Sequence, residues 1–247
     1  MPAAHTQPRP EGLVVMRQRW EDLLFLHWDW DPAEVQKTLP EGLVVDCWNG
    51  QAYVGLVPFF MCRVRPSGLP AVPLLSDFLE LNVRTYVRDR HGRAGVWFYS
   101  LDCSQPIAVI VAQKFFHLPY FHAKMKASRD GERIEYFCKR AGATDDCRIV
   151  YEPSGPAAAA EQGSFEEFLV ERYRLFSQRG KTLLTGCVWH EAYRVSAVRF
   201  DGTLDAPMKA AGFDPDKRPP VHATFSRGVD VRVFPVSKVA HRTSSGR

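Results

Sequence analysis

Residues 74–125 read LLSDFLELNVRTYVRDRHGRAGVWFYSLDCSQPIAVIVAQKFFHLPYFHAKM, and the reading of this stretch decides the fold. Side chains alternate across a strand. One face of the segment therefore carries Ser76, Phe78, Glu80, Asn82, Arg84 and Tyr86, and the other Asp77, Leu79, Leu81, Val83, Thr85 and Val87. The second face is mostly apolar, whereas the first holds a carboxylate, an amide and a guanidinium. Two readings of that polar face stay open. It is either the solvated side of an antiparallel sheet, with Glu80 and Arg84 as weakly attracting neighbours, or the lining of a barrel or cleft that fixes a small polar ligand.

The next residues add a hairpin and a helix. His91-Gly92 reads as the turn and Val96 to Leu101 as the return strand, while Ser104-Gln105-Pro106 has the form of a helix start. Ile107, Ile110, Val111 and Phe115 recur at helical spacing and predict one buried side. Pro119 then stops the helix, since proline lacks the amide that a helix needs. Tyr120 is left just beyond a helix end and beside the polar strand, a frequent position for site residues.

Outward from this core, Leu23 to Trp28 reads as a strand, and Asp31-Pro32 caps a short helix to about Leu39. Leu43 to Trp48 and Gln51 to Val64 form a predicted hairpin around Asn49-Gly50. Arg65 to Pro73 is a connector rich in Pro and Gly. Glu132 to Lys139 and Cys147 to Glu152 read as paired strands, and Pro153 to Gly163 as a surface loop. Ser164-Phe165-Glu166-Glu167 has the capping-box pattern of a helix start. Thr182 to Trp189, Tyr193 to Phe200 and Val229 to Val236 have strand character, with a short helix over Ala206 to Gly212.

The chain has 247 residues, 45% hydrophobic and 24% charged, enough for a full core in one domain. We expect a single domain over 13–237, flanked by disordered tails at 1–12 and 238–247 whose composition is polar. A net charge of +4 without a concentrated basic stripe argues against nucleic acid. No stretch reaches the ~18 apolar residues of a membrane span. The six cysteines are scattered without a C-x-x-C pair, so reduced thiols and cytoplasmic residence are expected. No H-x-H, H-E-x-x-H, P-loop or dinucleotide pattern occurs, so neither a metal nor another cofactor is predicted.

The order of these motifs, S-D-F-L-E-L-N-V-R, hairpin, V-W-F-Y-S-L-D, helix, F-F-H-L-P-Y-F, resembles the acetoacetate decarboxylase-like superfamily. Leu39-Pro40-Glu41-Gly42-Leu43, Tyr53-Val54-Gly55-Leu56-Val57-Pro58-Phe59, Arg65-Pro66 and Glu171-Arg172-Tyr173 are similar to its uncharacterised YqjF-like branch. The resemblance covers roughly residues 17 to 239. It implies a β-rich α+β fold, an antiparallel sheet or closed barrel with a few short helices. It also implies a pocket in which Glu80 occupies the position of an active-site glutamate. In the true decarboxylases the turn after the equivalent helix reads Pro-Lys-Lys, and its first lysine forms a Schiff base. Here Tyr120 and Phe121 follow Pro119, and neither side chain can form an imine.

Two functions of different classes follow. The first is a small-molecule pocket for a small carboxylate or carbonyl acid. In it Arg84 grips the acid, Glu80, Asn82 and Tyr120 set its orientation, and Tyr86 is a further ligand-binding candidate; if the site is catalytic, Glu80 is the candidate general base and Tyr120 the candidate acid or oxyanion donor. Lys124 shares an alternating face with Tyr120 and His122 and is the candidate replacement lysine. The second is a non-catalytic binding or oligomeric scaffold, with Trp48, Phe59, Phe60 and Phe121 facing a partner subunit of a homo-oligomer.

Overall fold

The computed structural model describes residues 8–73 and 75–240; the expected tails at 1–7 and 241–247 lie outside the described residues. Its first strands are β1 (Met16–Trp30), β2 (Leu43–Val45), β3 (Ala52–Pro66), β4 (Phe78–Asp89) and β5 (Ala94–Cys103). Then follow β6 (Tyr120–Asp130), β7 (Arg133–Arg140), β8 (Cys147–Ala159), β9 (Arg174–Arg179) and β10 (Thr182–Trp189). The last are β11 (Arg194–Thr203), β12 (His222–Val233) and β13 (Ser237–Lys238). Four short helices interrupt them: α1 (Pro32–Lys37), α2 (Pro106–Phe116), α3 (Phe165–Val170) and α4 (Asp205–Ala210).

All thirteen strands belong to one sheet that closes on itself. One ring runs β12-β1-β3-β4-β5-β9-β10 and returns to β12 through the pairing of Val188 with Val233. A second leaves β5 through β6, β7, β8 and β11 and returns to the same β12. The two rings share the wall β12-β1-β3-β4-β5. Over their central residues β1 and β3 have an interior on both sides, which explains why they are buried and apolar at consecutive positions. From β1, Leu23 and Phe25 enter the first interior while Leu24, Leu26 and Trp28 enter the second. From β4, Tyr86 packs in the first and Leu81 and Val83 in the second.

The ladders are antiparallel except for β5 with β6 and β5 with β9, which are parallel, so the sheet is mixed rather than wholly antiparallel. Where β1 crosses from one partner register to the next, Asp22 takes a left-handed backbone (φ 50°). Opposite the preceding residue, Glu21, stands Gly228 (φ 130°), where a Cβ would collide with the Trp20 carbonyl. Only glycine fits there.

Several expectations change. Asn49-Gly50 does turn with positive φ at both residues, but only Trp48 and Gln51 bridge across it. β2 pairs instead with β4, Leu43 opposite Asp89, because the edge of β4 offers a full ladder and the tight turn only one bridge. The supposed surface loop at Pro153 continues β8 to Ala159, paired with β11 up to Arg194; its proline sits where a strand tolerates a missing amide. At the C-terminus Ser237 and Lys238 pair with β10, and Val239 is buried with its amide donating to Leu183 O at 3.0 Å. The fold therefore extends past the boundary expected at 237.

The largest correction concerns α2. Gln105 caps it, its side chain accepting from the amides of Ile107 and Ala108, and His117 closes it in the left-handed region (φ 51°). Its buried side is Val109 with Ala108, Ala112 and Phe116, while Ile107, Ile110 and Phe115 point largely to solvent and Val111 stays partly exposed between the two sides. The helix is apolar almost all round, so two helical stripes fit its periodicity equally. The stripe with two alanines wins because small side chains let it sit close to the sheet.

Candidate functional site

A cavity of about 160 Å³ lies inside the first ring, under α2. Its walls are apolar for the most part: Met61, Phe78, Val96, Phe98 and Leu101 from the sheet, Ala108, Val111, Ala112 and Phe116 from α2. The polar members are few, namely Gln18, Glu80, Arg84, Tyr120, Arg172, Arg174 and Tyr193. Alternation along β4 places Phe78, Glu80 and Arg84 on this inner side.

Glu80 is 2% exposed, and its Oε2 accepts from the Tyr120 phenol at 2.6 Å. The Asn82 amide also bonds its carboxylate. No cation pairs with it among the described residues. Burial therefore dominates over the two hydrogen bonds and pushes the Glu80 carboxyl from 4.5 up to about 7. Such a group holds or gives up a proton near neutral pH, as a general acid or base must. Tyr120 is pushed well above the usual phenol range by burial and by the adjacent Glu80, so it stays a proton donor.

Tyr120 arrives there through the turn after α2. Its amide donates to Leu118 O at 2.8 Å, it pairs with Leu101 on β5, and Gln113 Nε2 donates to its carbonyl at 2.7 Å. The next residue points the other way: Phe121 stacks under Arg140, whose guanidinium forks onto Asp102 at 2.6 and 3.2 Å.

Arg84 stands four residues along β4 from Glu80, roughly 13 Å at 3.3 Å per residue. No carboxylate lies within ion-pair distance of it among the described residues; its Nε is buried without a partner, and its one hydrogen bond, to Leu169 O, is long at 3.4 Å. Its guanidinium sits 5.5 Å from the Phe25 ring. Arg172, in contrast, is ion-paired to Asp46 at 2.8 Å, a carboxylate it shares with Arg88, and Arg174 reaches the Thr185 hydroxyl at 3.2 Å.

The remaining predicted residues scatter. Asn82 is buried, braces Glu80 and does not line the cavity; its Oδ1 has no partner. Tyr86 lies deeper, donating to Leu169 O at 2.8 Å and meeting His27 Nε2 at 2.6 Å. Lys124 is exposed on β6 and does not line the cavity. The alternation that put it beside Tyr120 fails because β6 leaves β5 after His122 and turns Ala123 inward. No lysine lines the cavity among the described residues. Of the aromatics expected at a subunit contact, Phe59 is buried and Trp48 and Phe60 pack on the two cores.

Three cavity residues escaped the sequence reading. Arg172 lies within, and Arg174 directly after, the motif Glu171-Arg172-Tyr173, which is noted above only as a resemblance, and Tyr193 lies in the turn before β11. Glu171 is itself pushed to about 7 by burial, with Tyr173 donating to it at 2.5 Å and the Tyr193 amide at 2.7 Å. It does not line the cavity, so its role is to anchor this turn.

A family model described as "Uncharacterized conserved protein", DUF2071, matches residues 17–230. The chain belongs to this family. The uncharacterized protein YqjF of Bacillus subtilis (strain 168) is 34% identical over 231 residues, covering 93% of this chain and 94% of that protein. Among solved structures, the acetoacetate decarboxylase of Legionella pneumophila superposes with a TM-score of 0.63 at 14% identity, over 97% of this chain and 94% of its own. An acetoacetate decarboxylase-like enzyme from Sphingomonas wittichii RW1 gives 0.64 at 16%, over 93% and 94%. The enduracididine biosynthesis enzyme MppR complexed with pyruvate gives 0.63 at 12%, over 92% and 91%. The DUF2071 chain thus has the acetoacetate decarboxylase-like fold, as its motif order implies. Among the described residues no helix is long and apolar enough to cross a membrane.

Proposed function

We propose that this protein binds a small carboxylate or carbonyl acid in the ring cavity without forming an imine. The carrying observation is Arg84: a cation on the wall of a largely apolar cavity, without a carboxylate partner among the described residues. A guanidinium so placed is a receptor for an anion. Glu80 and Tyr120, 2.6 Å apart, supply a proton-transfer pair at the other end, which suits enolisation or protonation beside a carbonyl. The absence of lysine from the lining supports non-covalent chemistry. Cytoplasmic residence belongs to the same reading, supported by six free thiols, of which Cys138 and Cys147 stand opposite each other on paired strands.

Incubation with pyruvate and acetoacetate, borohydride reduction and intact-mass analysis test this. The proposal predicts a raised melting temperature and no added mass. A reduced adduct on a lysine would contradict it, as would the failure of every acid to shift melting.

A second reading, an oligomeric scaffold, draws on Ile107, Ile110 and Phe115, which α2 exposes at 54%, 61% and 63%. Sedimentation of Phe115→Ser against the parent decides it; a monomeric parent removes it.

A further inference from the structure

The cavity walls say more about the ligand than the charge alone. Resting on the site reading above, we infer that the ligand is a monocarboxylate with an apolar body of about the size of a benzene ring, an aryl- or branched-alkyl-carboxylic acid, seated with its carboxylate at Arg84.

Three observations carry this. First, volume: about 160 Å³ is close to the roughly 150 Å³ of an engineered apolar cavity that takes up benzene. Acetate or pyruvate would leave most of it unfilled. Second, wall chemistry: Phe98 and Leu101 line the stretch from Arg84 to Glu80, and Met61, Phe78, Ala112 and Phe116 extend the apolar lining around them. Apart from the few polar lining residues, such a wall offers polar atoms on the ligand body no partner, and each one buried against it would lose its hydrogen bonds to water. Every carbon of an apolar body instead gains from leaving water.

Third, charge count. Arg172 is held on Asp46, a carboxylate it shares with the half-exposed Arg88, so Arg84, with Arg174 beside Thr185, forms the anion-receptive end. The far end holds Glu80, whose oxygens already accept from Tyr120 and Asn82. A second carboxylate on the ligand would meet that acid with no cation to separate them, which selects a monoanion. A hydrophilic keto acid meets the charge requirement but not the wall.

The test is calorimetric titration of the intact protein at pH 6.5 with acetate, pyruvate, isocaproate, phenylacetate, phenylacetamide and adipate. Phenylacetate and isocaproate are expected to bind at least about 30-fold more tightly than acetate or pyruvate. Phenylacetamide, the neutral isostere, should lose roughly tenfold or more, and adipate should bind no better than acetate. Ala112→Leu, which fills the cavity from α2, should weaken phenylacetate while sparing acetate. Pyruvate binding as tightly as phenylacetate would overturn the apolar-body inference and leave the acid-binding reading standing. Failure of all acids would overturn both. Phenylacetate binding unchanged in both Ala112→Leu and Arg84→Ala would place it elsewhere and overturn the inference.

Discussion

The junction of β4, β5 and β6 holds two buried carboxyl groups on neighbouring strands, Glu80 on the cavity side of the sheet (inner) and Asp102 on the side of the second ring (outer with respect to the cavity). On the outer side, Asp102 is 1% exposed and clasped by the Arg140 fork, with Phe121 stacked beneath the guanidinium. On the inner side, Glu80 is equally buried but meets only a phenol and an amide. Burial pushes both carboxyls up, and the guanidinium opposes it only at Asp102. The outer group is a closed ion pair; the inner one keeps its proton to neutral pH beside an empty volume. Burial alone does not mark a site. What marks it is a missing charge partner combined with space for a ligand, which is also why Glu171, shifted as far but anchored by a backbone amide, reads as structural.

Breaking the outer pair should have the largest effect. Arg140→Ala leaves Asp102 buried without its cation, and chemical denaturation should show a loss of about 3–5 kcal/mol. Glu80→Gln should act in the opposite direction. With a folded value of about 7 against an ordinary 4.5, the proton on Glu80 stabilises the fold fully below 4.5, and that contribution is lost as pH rises through 7. The variant should match the parent near pH 4.5 and exceed it by up to roughly 3 kcal/mol at pH 8. Glu171 adds a background of the same sign to both proteins and cancels in the difference. A variant whose advantage does not grow with pH would contradict an ionisable inner carboxyl.

Arg84→Ala sharpens the inner side. It should cost phenylacetate binding about 1.5–3 kcal/mol, roughly 10–100-fold, while melting of the unliganded protein changes little. The smallest effect belongs to Lys124→Ala, within about 0.5 kcal/mol in stability and without effect on binding, since Lys124 is exposed and outside the cavity lining.

Simple alternation in the sequence exposes the inner face of β4 with Glu80 and Arg84, and the helix stop at Pro119 points to Tyr120. The shared wall was harder to see. A strand with an interior on both sides looks apolar at every position, so period 2 fades in β1 and β3. The short β9 and the β2-β4 pairing depend on long-range partners and leave no local signal. For α2 the pattern was present twice over, and only packing chose the alanine stripe. Arg172 and Arg174 were hidden for a similar reason, since nothing local distinguishes an arginine that reaches into a ring from one in solvent.

Carboxyl-carbon NMR of the labelled protein, titrated with and without phenylacetate, measures the inner and outer groups together. Glu80 should titrate near 7 in the free protein and move higher when an anion fills the cavity, while Asp102 on the far side of the sheet stays in place. A Glu80 that titrates in the ordinary carboxylate range, or that phenylacetate leaves unmoved, would contradict a ligand site built on an unpaired inner acid.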